Sequence, residues 1–114
     1  MHAPDHRRAA ENIEADVAAL QTQPHESRLA IEGCWGAAFH WIAYGCETKH
    51  GQHRESHIRL GAFLRNDVGE PAIADWWDEL ERLRQGGWYG GQFDETRLQR
   101  ALTVLGEVRS WATS

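Results

Sequence analysis

The chain is poor in cysteine and in positive charge, and it has no long apolar run. Each shortage removes a class of protein. There are only two cysteines in 114 residues, Cys34 and Cys46. Twelve positions apart on one helix, their Cα atoms would stand about 18 Å apart, whereas a disulfide needs less than about 7 Å. Two free thiols are therefore expected, which fits a reducing compartment. Acidic residues outnumber lysine and arginine by 17 to 12, for a net charge of −5. That excludes broad, sequence-independent DNA binding, which needs a basic surplus. The most apolar stretch, CWGAAFHWIAYGC, is too short to cross a bilayer and carries His40. The opening MHAPDHRRAAENIEAD lacks the apolar centre of a signal peptide. A cytoplasmic protein that does not enter the membrane is the expectation. Strand alternation, internal repeats and low-complexity tracts are all missing. So are a catalytic triad, a phosphate loop and a Cys-x-x-Cys knuckle, and no cofactor is implied.

What is present is helical spacing. Ile13, Val17 and Leu20 recur at steps of four and three, predicting an amphipathic helix over 5–22. Residues 25–48 are apolar almost all round: Ile31, Trp35, Ala38, Phe39 and Ile42 make one stripe, with Leu29, Cys34, Ala37 and Trp41 beside it. Such a helix is buried on several sides, so this is the expected central helix. Gly33, Gly36 and Gly45 weaken it by about 1 kcal/mol each, a cost that close approach of neighbouring helices can offset. A short third helix is predicted over 54–65. A fourth begins at Pro71, with Ile73, Trp76, Trp77, Leu80 and Leu83 inward, and ends at GGWYGG (86–91). A fifth follows Asp94 as N-cap and Phe93 as staple, with Leu98, Ala101, Leu102, Leu105 and Val108 inward. The predicted fold is all-α: one domain over 1–114, an up-and-down four-helix bundle with one additional short helix.

Three features carry possible chemistry. In GCETKHGQHRESH (45–57), Cys46, His50, His53 and His57 are spaced four, three and four, and both residue types ligate zinc. A helical stripe points ligands along a line, however, and Gly51 breaks it. Only an i, i+4 pair could share a metal, His53 with His57 being the best, and the plainer reading is a solvated histidine-rich link. His40 lies within the apolar helix and, if buried, must find a hydrogen-bond partner. Six tryptophans are many for this length, and of the adjacent Trp76 and Trp77 one is expected to face the core and the other its edge. An edge tryptophan favours a partner surface, and a homodimer is expected.

Taken in order, SRLAIEGCWGAAFHWIAYG, TKHGQHRESHIRLGAFLRN and LERLRQGGWYGGQF followed by an amphipathic helix resemble the HEPN superfamily of small α-helical bundles. The resemblance spans nearly the whole chain. It implies a dimeric four-helix core with a short extra helix. It also implies kinship with ribonucleases, often toxins paired with a nucleotidyltransferase-like protein partner. The family's catalytic signature is an arginine followed, after four to six residues, by a histidine. No arginine here has one. Arg84 aligns best, with Tyr89 where the histidine would stand. A phenol of pKa near 10 shuttles protons poorly at pH 7. The expectation is a non-catalytic domain binding a nucleotide, RNA or a protein partner, with Arg84, Tyr89, His57 and Lys49 as candidate contacts. A variant metal-independent ribonuclease of toxin–antitoxin type is the alternative, and a histidine-rich metal-binding bundle a weaker one.

Overall fold

The computed structural model describes residues 1–21, 27–89 and 95–114, with 87–89 by their backbone alone. The elements are α1 (Ala3–Leu20), α2 (Ser27–His50), α3 (Leu60–Phe63) running into a π-helical turn (Leu64–Val68), α4 (Pro71–Tyr89) and α5 (Glu95–Thr113). There is no strand among the described residues, and the packing is that of an all-α bundle. Among the same residues no helix is long and apolar enough to cross a membrane.

Helix α2 is the centre of the bundle, packed against α1, α4 and α5. Its glycines are what let the neighbours in. A Cβ added at Gly33 would stand 2.5 Å from Val17 Cγ2 of α1, and one at Gly45 would run into the Trp111 ring of α5. Where α1 and α5 meet α2, a shared carboxylate ties them: Trp41 Nε1 donates to Glu14 at 2.6 Å, and Arg109 donates to the other oxygen of Glu14. Cys34 and Cys46 are free and buried, and burial pushes both thiols up to about 12.

Helix α4 starts at Pro71 as its sequence predicts, with the Glu70 carbonyl accepting the Ala74 N–H at 3.1 Å. Ile73, Trp77, Leu80 and Leu83 are buried, while Trp76 is half-buried at the edge. The helix does not end at Gly86 but continues to Tyr89. Two glycines cost a helix only about 1 kcal/mol each, which lowers its stability without forbidding its geometry. The expected cap Asp94 and staple Phe93 lie outside the described residues; α5 buries Leu98, Ala101, Leu105 and Val108, as its spacing predicts.

The short third helix is the larger correction. It begins at Leu60, not at 54, and residues 51–57 are not helical. Local side-chain bonds hold the backbone instead: Arg54 Nε donates to the Ser56 carbonyl at 3.0 Å, its guanidinium also reaches the Ile58 carbonyl, and the Ile58 N–H donates to Ser56 Oγ at 3.1 Å. Bonds of this kind compete with a helix. The link leaves α2 at Gly51 and enters α3 at Arg59, both left-handed, with φ of +66° and +56°.

Candidate binding site

Trp35 and Glu32 lie one turn apart on α2, and α4 brings Arg84 to both. The guanidinium sits over the indole at 4.1 Å from its centroid, and Nε donates to Glu32 Oε2 at 2.7 Å. The link brings His57, whose ring meets Trp35 edge-on at 5.0 Å. Behind Trp35 stands the buried Trp77, with 5.5 Å between centroids. Trp35 Nε1 is buried and has no hydrogen-bond partner among the described residues. His57 itself is exposed. The next residue, Ile58, is 64 % exposed, and Leu29, one turn before Glu32, is 45 % exposed. Those two are large aliphatic side chains in water.

Two of the four predicted contacts therefore meet at one ring: Arg84 and His57 share Trp35. Lys49 does not join them. It lies fourteen residues beyond Trp35 on α2, about 21 Å along the axis, where Nζ donates to the Ser114 carbonyl at 2.9 Å and to Ser114 Oγ at 3.0 Å. The Tyr89 side chain falls outside the described residues. Glu32, which sequence reasoning passed over, is the partner that defines Arg84. Its signal was present, as the one acid in the apolar first half of the central helix. Chemically the patch offers a cation already balanced by a carboxylate, a flat indole and an imidazole. An anion approaching Arg84 meets the Glu32 carboxylate on the Nε side of the guanidinium.

The histidine stripe of 46–57 disperses. Cys46 is in the core. His50 Nε2 lies 3.4 Å from Glu70 Oε2, which also accepts Trp111 Nε1–H at 2.6 Å. His53 sits between Glu47 and Glu55. The i, i+4 basis for pairing His53 with His57 is absent because the chain between them is not helical: the His53 ring neighbours those of His2 and His6, and the His57 ring meets Trp35. His40 finds its partner in His6 of α1, Nδ1 to Nδ1 at 2.9 Å, one ring donating and the other accepting. Burial pushes both imidazoles below their ordinary range. His6 was missed, although it stands in register with Ala10, Ile13 and Val17 on the inner stripe of α1. Among the described residues, the group of His, Cys, Asp or Glu side chains able to hold a metal is His2, Glu47 and His53.

Comparison of the chain with family models, curated proteins and solved structures finds no match.

Proposed function

We propose that this chain is a non-catalytic, HEPN-like helical domain that works by binding, with the Trp35 patch as its contact surface and a second copy of the chain as its partner. The observation that carries this is the neutralised Arg84, laid over Trp35 and bonded to Glu32, near the exposed Leu29 and Ile58. Tryptophan and arginine at the centre of a partly apolar surface are the composition of energetic hot spots in protein interfaces. A nucleotidyltransferase-like protein, the partner implied by the resemblance, is a further occupant for the same surface.

The test is the mass of the protein in solution by analytical ultracentrifugation. The wild type should sediment as a dimer. Ile58→Asp, at an exposed position, should dissociate at least tenfold more readily with an unchanged circular dichroism spectrum, and Arg84→Ala should move in the same direction. A wild type that stays monomeric at high concentration sinks the homodimer.

A second reading is favoured by the ring itself. An indole with a guanidinium over it and an exposed imidazole at its edge suits a nucleotide or single-stranded RNA, by base stacking and phosphate pairing. Calorimetry with mononucleotides and short RNA decides it: binding lost in Arg84→Ala supports this reading, and no heat from either ligand removes it. An RNA-cleavage assay of wild type against Arg84→Ala addresses the variant ribonuclease. Equal background is the expected result.

A further inference from the structure

His2, Glu47 and His53 come from three pieces of chain: the residue before α1, the last turn of α2, and the link that follows it. One ligand atom from each lies within 4.8 Å of the others. His2 Nδ1 stands 3.3 Å from Glu47 Oε1, and His53 Nδ1 stands 3.8 Å from Glu47 Oε2. Two ligands held tetrahedrally by zinc at about 2.0–2.1 Å are themselves roughly 3.3 Å apart. The first pair already has that spacing, and the second is half an ångström wider.

The surroundings point the same way. His53 Nε2 lies 2.8 Å from Glu55 Oε1, a carboxylate that also receives the Met1 amino group. An Nε2–H donated to Glu55 leaves the lone pair on Nδ1, the nitrogen that faces Glu47. This carboxylate–imidazole arrangement is the one that orients histidine ligands in metal sites. Glu47 Oε2 is buried and accepts no hydrogen bond from a described residue. A carboxylate oxygen out of water without a donor is costly, and a cation beside it removes the cost. Next to the trio lies His6, 2 % exposed, its ring centroid 6.4 Å from that of His53; Nδ1 is taken by His40, and Nε2 is buried with no hydrogen-bond partner among the described residues.

We propose that His2, Glu47 and His53 ligate a divalent cation of the zinc class, with Glu55 as the positioning residue for His53. Two imidazoles and one carboxylate suit zinc, nickel or copper rather than magnesium or calcium, which prefer all-oxygen shells. Three protein ligands leave a fourth position for water. The bound ion fastens the start of α1 and the non-helical link to the end of α2. This site is independent of the Trp35 patch, about 18 Å away along α2 from Trp35 to Glu47.

The test uses the full chain, stripped with a chelator, dialysed and titrated with zinc chloride by calorimetry. The wild type should take up one zinc per chain. His2→Ala, Glu47→Gln and His53→Ala should each bind at least tenfold more weakly, Glu55→Gln about 10–100-fold more weakly, and His57→Ala as tightly as the wild type. Zinc should raise the thermal midpoint of the wild type but not that of His2→Ala. His2 is exposed, so that variant keeps its fold, and a melt of each zinc-free variant checks the others. A wild type that binds no zinc, or wild-type affinity in His2→Ala and His53→Ala, overturns the proposal.

Discussion

Trp35 and Trp76 carry the same three-part arrangement on different helices. Each indole has a glutamate one turn away, and an arginine from another helix lies over the ring and bonds to that glutamate. For Trp35 these are Glu32 and Arg84, the latter 4.1 Å from the ring centroid; for Trp76 they are Glu79 and Arg100, at 5.4 Å. The surroundings differ. Trp35 belongs to the central helix, is backed by Trp77 and is edged by His57. Trp76 faces outward from α4 and, with Ala72, Asp75, Glu79 and Arg82, lines an open groove of about 340 Å³. A guanidinium over an indole thus serves first to lay a charged stem along apolar surface. By itself it makes no site. What distinguishes Trp35 is what the rest of the fold adds: a histidine from the link, exposed aliphatic neighbours, and a buried ring behind.

The buried ring gives the largest handle on that difference. Trp77→Ala removes the support behind Trp35 at a position only 2 % exposed, and should cost about 3–5 kcal/mol in a denaturant titration. Trp76→Ala, at the half-buried edge, should cost less than half as much. Equal losses would mean that the two arrangements are seated alike, and the contrast between them would fall.

A smaller effect sharpens the contrast from the backbone side. Gly33 and Gly36 flank Trp35 on α2. Alanine at 33 puts a methyl 2.5 Å from Val17 Cγ2, whereas at 36 the nearest atom is Ile13 Cδ1 at an ordinary 3.7 Å. Gly33→Ala should therefore destabilise by about 1–3 kcal/mol through overpacking, and Gly36→Ala should stabilise by about 0.5–1 kcal/mol through helix propensity. Thermal melts of the two variants check the signs. Gly33→Ala should also disturb tryptophan fluorescence more, since it shifts the helix that carries Trp35.

The parts of the fold that could be read from the sequence were those set by periodicity. The stripes of α1, α4 and α5, the burial of α2 and the start at Pro71 follow from apolar spacing and one fixed φ angle, both local properties. The close approaches at Gly33 and Gly45 were readable as an allowance, but not which helix would use it. The link resisted because side-chain-to-backbone bonds from Arg54 and Ser56 outcompete the first turns of the helix expected over 54–65. Of the candidate site, Arg84 and His57 were found, but the ring that joins them was assigned wholly to the core. Pairings such as Glu32 with Arg84, or His6 with His40, join residues 52 and 34 positions apart, and no spacing rule reaches that far. His2, Glu47 and His53 depend on three segments meeting, which only the packed bundle decides.

The smallest effect belongs to the outer arrangement alone. Hydrogen bonding from Arg100 holds the Glu79 carboxyl below its ordinary value of 4.5, and the same bond pushes Arg100 up, so the arginine stays charged throughout. A carboxyl whose folded pKa is depressed binds fewer protons folded than unfolded. Its stabilisation is complete above about pH 4.5 and is lost as the pH falls through the lower, folded value. Both groups are partly in water, where such pairs are weak and screened by salt. Glu79→Gln and Arg100→Ala should therefore lower the thermal midpoint at pH 7 by no more than about 4 °C, leave it nearly unchanged once the pH is below the folded value of Glu79, and flatten the decline between. Neither variant should alter self-association, because among the described residues Trp76 has neither a histidine at its edge nor an aromatic ring behind it. A change in sedimentation equal to that of Arg84→Ala would show instead that the groove beside Trp76 is part of the interface.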